Sequence, residues 1–157
     1  KVLVNIENKI NSGSLSATSL IKELRLIMWR NCGVIRDVKK LRNGIKEINN
    51  LKKLSKNVCS NLIQNDYSNL INLLDLEASI VSAEATIISA LERLESRGAH
   101  QRKDFPNLGS LRFNYAIYLE NEELKIRNYE SKKPDQNLIK FIENNNLIKN
   151  FKGKLIE

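Results

Sequence analysis

Twelve residues, Glu95 to Pro106 (ESRGAHQRKDFP), hold three basic side chains, two acids and the chain's only histidine. An imidazole titrates near neutrality, so His100 set among carboxylates and guanidinium groups has the makings of a general acid or base. The same residues also describe a joint. Gly98 follows a long helical pattern at the spacing of a C-cap, Arg93 and Arg97 suit the negative end of that helix, and His100 falls in the exit loop. On this reading the histidine is structural or lies at an interface, and the rest of the sequence favours it.

Other groups able to do chemistry are few. Glu77 and Glu84 fall two turns apart on an apolar helical stripe. Carboxylate-bridged di-metal bundles need histidines at fixed spacing beside such glutamates, and those are absent. A glutamate taken into a core must be paired or neutralised, so the expectation is an ion pair with Arg30 or Arg36. Cys32 and Cys59 form no CxxC and have one histidine to help them, which excludes a zinc site and leaves two free, partly buried thiols in a reducing compartment. The six glycines fit neither G-x-G-x-x-G nor a Walker loop, and no GxSxG elbow occurs. Trp29 reads as a core anchor, and Tyr115, Tyr118 and Tyr129 suit a packed hairpin.

The elements that must position these groups are mostly helical. NSGSLSATS at 11–19 is a polar linker with several possible N-caps. Leu20, Ile21, Leu24, Ile27 and Met28 then recur at helical spacing, and Gly33 is expected to end that helix in the left-handed conformation. Asp37 caps the next, whose seam runs through Val38, Leu41, Ile45, Ile48, Leu51, Leu54, Val58 and Leu62. A turn at Asn65-Asp66 opens the third, with a stripe through Leu70, Leu73, Leu74, Glu77, Ile80, Val81, Glu84, Ile87, Ile88, Leu91 and Leu94. Three such stripes cannot be buried singly, so an antiparallel three-helix bundle follows. Beyond Pro106, FNYAIYL alternates with a period of two. The acidic turn at 120–123 and LKIRNY make it a hairpin, which needs a surface to lie on. A short helix over Asn137 to Glu143 precedes the final NFKGKLIE.

Composition narrows the classes. Of 157 residues, 41% are hydrophobic and 28% charged, a soluble globular balance. No apolar run approaches the roughly 20 residues of a membrane span, and no secretion signal is visible, so a cytoplasmic location is expected, peripheral to the membrane at most and without insertion. The net charge of +8 invites a nucleic-acid reading. Its Lys and Arg residues are scattered and broken by acids, with no aromatics interleaved to stack on bases, so solvated helix faces explain the charge better. The chain begins in mid-pattern without a methionine and is expected to be a piece of something longer. A stand-alone helical interaction module, or a nucleic-acid-binding bundle, is the rival from another class.

The order of the segments is more telling than any one of them. LRLIMWRNCGVIRDVKKLRNGIKEI, followed by a long helix ending in AEATIISALERLESRGAHQRKDFP, resembles the C-terminal helical domain of the succinate dehydrogenase and fumarate reductase flavoprotein family, which includes L-aspartate oxidase. The first segment is similar to the family's M-x-x-x-x-G-(I/V)-x-R, met by Met28, Gly33, Val34 and Arg36. The second is similar to E-S-R-G-A-H-x-R-x-D-(F/Y)-P, met by Glu95, Ser96, Arg97, Gly98, Ala99, His100, Arg102, Asp104, Phe105 and Pro106. The resemblance covers about residues 15 to 108.

It implies a mainly α fold, a spectrin-repeat-like three-helix bundle with a C-terminal hairpin-like tail. Residues 1–14 would link to a missing flavin domain, 15–108 form the bundle with its SRGAH loop, and 109–157 form the tail. It also implies that no catalytic, cofactor or metal residue lies here. FAD and the dicarboxylate-binding side chains would sit on upstream FAD-binding and capping domains of the same chain, with an iron–sulfur subunit as a further partner. Arg36, Arg97, His100, Arg102 and Asp104 are then docking residues. MWRNCGVIRD resembles the aspartate oxidase version of the motif, whereas FNYAIYL and the terminal KGKLIE resemble bacterial succinate dehydrogenase or fumarate reductase flavoproteins, the side favoured here.

Overall fold

The computed structural model describes residues 15–58, 68–109, 113–121, 123–130, 135–137 and 140–141. Its helices are α1 (Ala17–Cys32), α2 (Val38–Leu54) and α3 (Ser68–Glu92). Each packs on the other two, as expected of a three-helix bundle. A 3-10 turn over Ser55–Asn57 follows α2 and delivers Val58, fully buried, to the core. The expected linker at 1–14, Cys59, Leu62, the Asn65-Asp66 turn and the chain end lie outside the described residues. Residues 136, 137, 140 and 141 are helical, in keeping with the short helix expected there.

Local chemistry starts and stops the helices. Asp37 caps α2, its Oδ1 accepting from the Lys40 backbone N–H at 2.9 Å. Ser16 holds the N-cap position of α1, but only its backbone carbonyl takes part, accepting from Leu20 at 3.2 Å. Gly33 ends α1 in extended backbone, φ −64° and ψ −160°, rather than the left-handed state expected. A Cβ at Gly33 would press to 3.0 Å on the Trp29 carbonyl oxygen.

The core is built from Leu20, Leu24 and Ile27 of α1, Leu41, Ile48 and Leu51 of α2, and a seam on α3. Fully burying a side chain of this size contributes roughly 1.5–3 kcal/mol. The α3 seam runs Leu73, Leu76, Ile80, Ala83, Ile87 and Ala90, sharing Leu73, Ile80 and Ile87 with the stripe read in the sequence but rotated toward Leu76, Ala83 and Ala90. Leu74, Val81 and Leu94 are exposed, and so is Glu77. Close packing at Ala83 and Ala90 has a counterpart in α2, where a Cβ at Gly44 would meet Ile87 Cδ1 at 2.7 Å and Asn31 Cβ at 2.9 Å. Asn31, buried between α1 and α2, donates to the Ile27 carbonyl and to Glu47, each at 3.0 Å, and accepts from Asn43 at 3.1 Å.

Strands β1 (Ile35–Arg36) and β2 (Gln101–Arg102) pair in parallel, joining the α1–α2 connection to the exit loop of α3. Strands β3 (Phe113–Glu120) and β4 (Glu123–Glu130) form the expected antiparallel hairpin, with Leu119 opposite Leu124 and the turn at Asn121, φ +50°. Asparagine tolerates that conformation better than most residues. The hairpin rests on α3. Arg93 holds its base by stacking 4.8 Å over Tyr115 and donating to the Phe113 carbonyl at 3.3 Å. Tyr129 is exposed rather than packed, and Tyr118 is only partly covered, beneath Arg127.

Candidate functional site

The exit loop of α3 folds back on the bundle, and the side chains of Arg93, Glu95, Ser96, His100, Arg102 and Asp104 are all hydrogen-bonded within this domain. Helix C-termini leave carbonyls unsatisfied. Arg102 meets those of α3, its Nη1 donating to the carbonyls of Ala90 at 2.6 Å, Leu91 at 3.2 Å and Arg93 at 3.3 Å. At 2% exposure it is the largest fully buried side chain described. A buried guanidinium needs a counter-charge, and Asp104 supplies it through two bonds, Nε to Oδ1 at 2.8 Å and Nη2 to Oδ2 at 2.7 Å. The guanidinium also stacks 4.9 Å from the Phe105 ring.

Asp104 reaches further. Its Oδ2 accepts from the Val38 N–H at 3.1 Å, so this ion pair joins the negative end of α3 to the positive end of α2, each charge placed where the helix dipole favours it. Arg102 holds the Asp104 carboxyl down to about 2.

His100 sits between two groups of fixed hydrogen-bonding sense. Arg36 Nη1 lies 2.8 Å from Nδ1 and can only donate; the Arg93 carbonyl lies 3.2 Å from Nε2 and can only accept. Both are satisfied by one form, the neutral ring with its proton on Nε2. Burial pushes the imidazole below its ordinary value; the charges of Arg36, Arg102 and Arg93 add to that, and the bond to the Arg93 carbonyl opposes it. Arg36 is fastened in turn by Nε to the Gly33 carbonyl at 2.6 Å.

Around this centre, Ser96 Oγ accepts from the Arg102 N–H and donates to the Phe105 carbonyl, both at 2.8 Å. Glu95, 6% exposed, accepts from Arg93 at 2.6 Å, from Arg97 Nη2 at 3.0 Å and from the Gly109 N–H at 2.9 Å. Arg97, then burial in opposition, then Arg93 and Gly109 set its balance, and the carboxyl ends below its usual range. Gly98 lies at φ +55° in the tight turn between Arg97 and His100, so its conformational freedom serves that turn and not the helix end, since α3 stops at Glu92.

The structure thus gathers Arg36, Arg97, His100, Arg102 and Asp104 into one latch. Arg93, Glu95, Ser96 and Gly109 belong to it as well. Glu95 and Ser96 stand inside the quoted motif, Arg93 had read only as a dipole partner, and nothing in the sequence points to Gly109, whose Cβ would strike Glu95 Oε2 at 2.8 Å. Two further expectations fail. Glu84 pairs with Lys52 at 3.0 Å, not with Arg30 or Arg36. Arg30 instead faces Glu23 and Glu47 on the bundle surface. Trp29 is 79% exposed, because it lies opposite the α1 seam of Leu20, Leu24, Ile27 and Asn31. Cys32 is buried and free, its thiol pushed up by burial against the opposing charge of Arg36.

These residues do not fit a flavin. A pyrophosphate needs open backbone N–H groups at a helix start, whereas the start of α2 already carries the carboxylates of Asp37 and Asp104. The space beside Gly44 and Gly109 is filled by side chains. Among the described residues no cluster of three or more His, Cys, Asp or Glu could hold a metal ion, and no helix is long and apolar enough to cross a membrane.

Residues 21–140 match the family described as fumarate reductase flavoprotein C-term. An uncharacterised FAD-dependent oxidoreductase of Methanocaldococcus jannaschii is 37% identical over 106 residues, 66% of this chain and 19% of that protein. L-aspartate oxidase of Yersinia pestis is 37% identical over 86 residues, 54% of this chain and 15% of that protein. In fold, a variant of E. coli quinol fumarate reductase superposes with a TM-score of 0.76 at 20% identity, covering 85% of this chain and 24% of that one. The chain therefore spans about a fifth of the length of the relatives it matches. With the bundle, hairpin and latch in place, the chain belongs to the succinate dehydrogenase and fumarate reductase flavoprotein family, as its C-terminal helical domain.

Proposed function

We propose that this chain is the structural and docking domain of an FAD-dependent oxidoreductase acting on a dicarboxylate of the succinate or fumarate type. FAD and the substrate-binding histidine and arginine side chains belong, on this reading, to FAD-binding and capping domains elsewhere in the same polypeptide. An iron–sulfur subunit is the electron partner, and the assembly is cytoplasmic. Arg36, Arg97, His100, Arg102 and Asp104 set the shape of the docking end.

The observation that carries the reading is the latch itself. A general base or a cofactor ligand needs a free valence toward a cleft. Both ring nitrogens of His100 and the guanidinium of Arg102 are instead spent on Arg36, Asp104 and backbone carbonyls of the same domain. Such an arrangement fixes where the two family segments sit relative to each other, which suits a domain that braces another. L-aspartate as substrate is the second reading, favoured by the likeness of MWRNCGVIRD and by the relative from Yersinia pestis.

The test is made in the polypeptide encoded together with its upstream sequence. Flavin content and turnover of succinate, fumarate and L-aspartate assign the substrate. Arg97→Ala removes a partly exposed latch side chain that holds Glu95 and the Gly109 carbonyl; flavin retention and thermal stability should both fall. Wild-type flavin content and stability in that variant would count against a docking role.

A further inference from the structure

The cations of α2 are interrupted by an acid in the sequence, but the helix sorts them. Six Lys or Arg stand in it against one Glu. Glu47 is turned to α1, where it accepts from Asn31 and faces Arg30, and Lys52 is turned to α3, where it pairs with Glu84. Between those two edges, on the outer side of the bundle, lie Lys39, Arg42, Lys46 and Lys53, all exposed, with Asn49 and Asn50 among them. Steps of three, four and seven residues put the four cations in one row, about 21 Å long at the rise of an α-helix. None of the four has an ion-pair partner among the described residues. The fold gains nothing from this row. Lys39 and Arg42 fall in or next to the first turn of α2, the end where the helix dipole disfavours positive charge. Lys39 with Arg42, and Arg42 with Lys46, are like-charged neighbours at a spacing that weakens a helix. Charges that oppose the helix carrying them, and find no counter-charge inside the domain, are left for contact with something outside it.

We infer that the outer face of α2 docks an acidic segment of a separate protein, one whose carboxylates lie along a helical stripe. Carboxylates on a second helix at the same three-, four- and seven-residue steps fall opposite the row, and the Asn49 and Asn50 amides can donate to them. Three other occupants fit less well. Base stacking needs aromatics, and α2 has none. An interfacial helix buries its apolar side in lipid, whereas Leu41, Ile48 and Leu51 of α2 are spent in the core. A second copy would have to offer α3, whose charged residues are all acidic. Of those, Glu84 is taken by Lys52, and Asp75 lines the apolar groove between α1 and α3 beside Met28 and Trp29, so α3 presents no matching row. The inference goes beyond the domain reading above and does not depend on it.

The experiment uses the polypeptide encoded together with its upstream sequence and reads the fluorescence anisotropy of a labelled, alanine-rich helical peptide whose glutamates repeat the steps of the row. A permuted peptide of the same composition is its control. At about 0.15 M salt, where charges farther apart than ~8 Å are screened, the first peptide should bind about tenfold more tightly than the second. Neutralising the row in one variant, Lys39→Gln with Arg42→Gln, Lys46→Gln and Lys53→Gln, should weaken binding about thirtyfold, as four exposed ion pairs of ordinary strength contribute together. A variant that loses the same charge elsewhere, through Lys22→Gln, Arg25→Gln, Lys103→Gln and Lys125→Gln, should bind within about twofold of the wild type. Glutamine keeps helix propensity and removes the repulsion, so the row variant should melt no lower than the wild type. A lower midpoint means that the charges serve the fold, and it overturns the inference; so do equal affinities in the two variants, equal affinities for the two peptides, or no binding. Tighter binding of a DNA duplex, or of phosphatidylcholine vesicles with about one quarter phosphatidylserine, lost in the row variant alone, assigns the face to nucleic acid or lipid. Self-association lost in that variant assigns it to a second copy. Each of these overturns the inference equally. Flavin content enters none of the readouts, so failure here leaves the domain reading standing.

Discussion

At the latch, charge lies inside and is satisfied; along the α1–α3 groove, apolar surface lies outside and is bare. Arg102 at 2% exposure and Trp29 at 79% reverse the usual placement of their residue types. Each reversal has its own physical cause. Arg102 is buried because three helix-end carbonyls and a carboxylate repay its desolvation. Trp29 is exposed because no described element of this chain faces that side of α1. The difference separates a closed device, whose bonds shape one end of the bundle, from an apolar surface left open among the described residues.

If the latch is closed, its centre should be the costliest place to cut. Arg102→Ala leaves Asp104 and the α3 carbonyls without their partner, and breaking such a buried pair from one side costs about 3–5 kcal/mol. Urea unfolding should show that loss, a large share of a domain's roughly 5–15 kcal/mol total. Gly44→Val comes next: the added atoms press on Ile87 and Asn31, and overpacking costs about 1–3 kcal/mol, set against a helix propensity only slightly better than that of glycine.

The histidine sharpens the comparison through pH. The folded state holds His100 below its ordinary 6.5, so between the two values the unfolded chain binds a proton that the folded chain refuses. Stability should be complete above about pH 6.5 and decline below it, levelling off once the folded state titrates. In His100→Gln an amide can accept from Arg36 and donate to the Arg93 carbonyl, so stability at neutral pH should stay within about 1 kcal/mol while that slope flattens. The share owed to Asp104 is lost separately, as pH falls from 3.8 through about 2. Trp29→Ser should do least, within about 0.5 kcal/mol in the 157-residue chain, because it removes surface already in water.

Much of this was legible in the sequence, for identifiable reasons. The seams of α1 and α2 have one apolar face each, Asp37 precedes its helix at cap spacing, and FNYAIYL alternates cleanly, so those elements emerge as expected, except that α2 stops at an exposed Leu54 and a 3-10 turn, not a continued helix, carries Val58 into the core. The third helix misleads because Leu73-Leu74, Ile80-Val81 and Ile87-Ile88 are adjacent apolar pairs, either member of which can continue a stripe. Periodicity cannot choose between them. The buried members, Leu73, Ile80 and Ile87, are selected by alignment with Leu76, Ala83 and Ala90, and the two alanines carry little hydrophobic signal. A stripe drawn through both members of each pair takes in Glu77 and Glu84 and casts Arg30 and Arg36 as their partners, whereas Glu77 is exposed and Glu84, mostly buried, pairs with Lys52.

The latch was visible as a cluster but not as a network. Arg36 and His100 are 64 residues apart, and no local spacing brings them together. Only the order of the two family segments hinted that they meet. Trp29 shows the converse limit, since hydrophobicity alone cannot tell a core position from one on the opposite side of the same helix.

The central claim, that the exit loop is locked by bonds within this domain, is tested most directly by amide hydrogen exchange at Ser96, Gln101 and Lys103. Their N–H groups donate to the carbonyls of Asn107, Val34 and Arg36 at 3.0, 3.2 and 2.9 Å. Protection at all three comparable to that of core amides in α2, lost together in Arg102→Ala, is the expected result. Exchange at the rate of an unstructured loop, in a chain whose helices are protected, would contradict it.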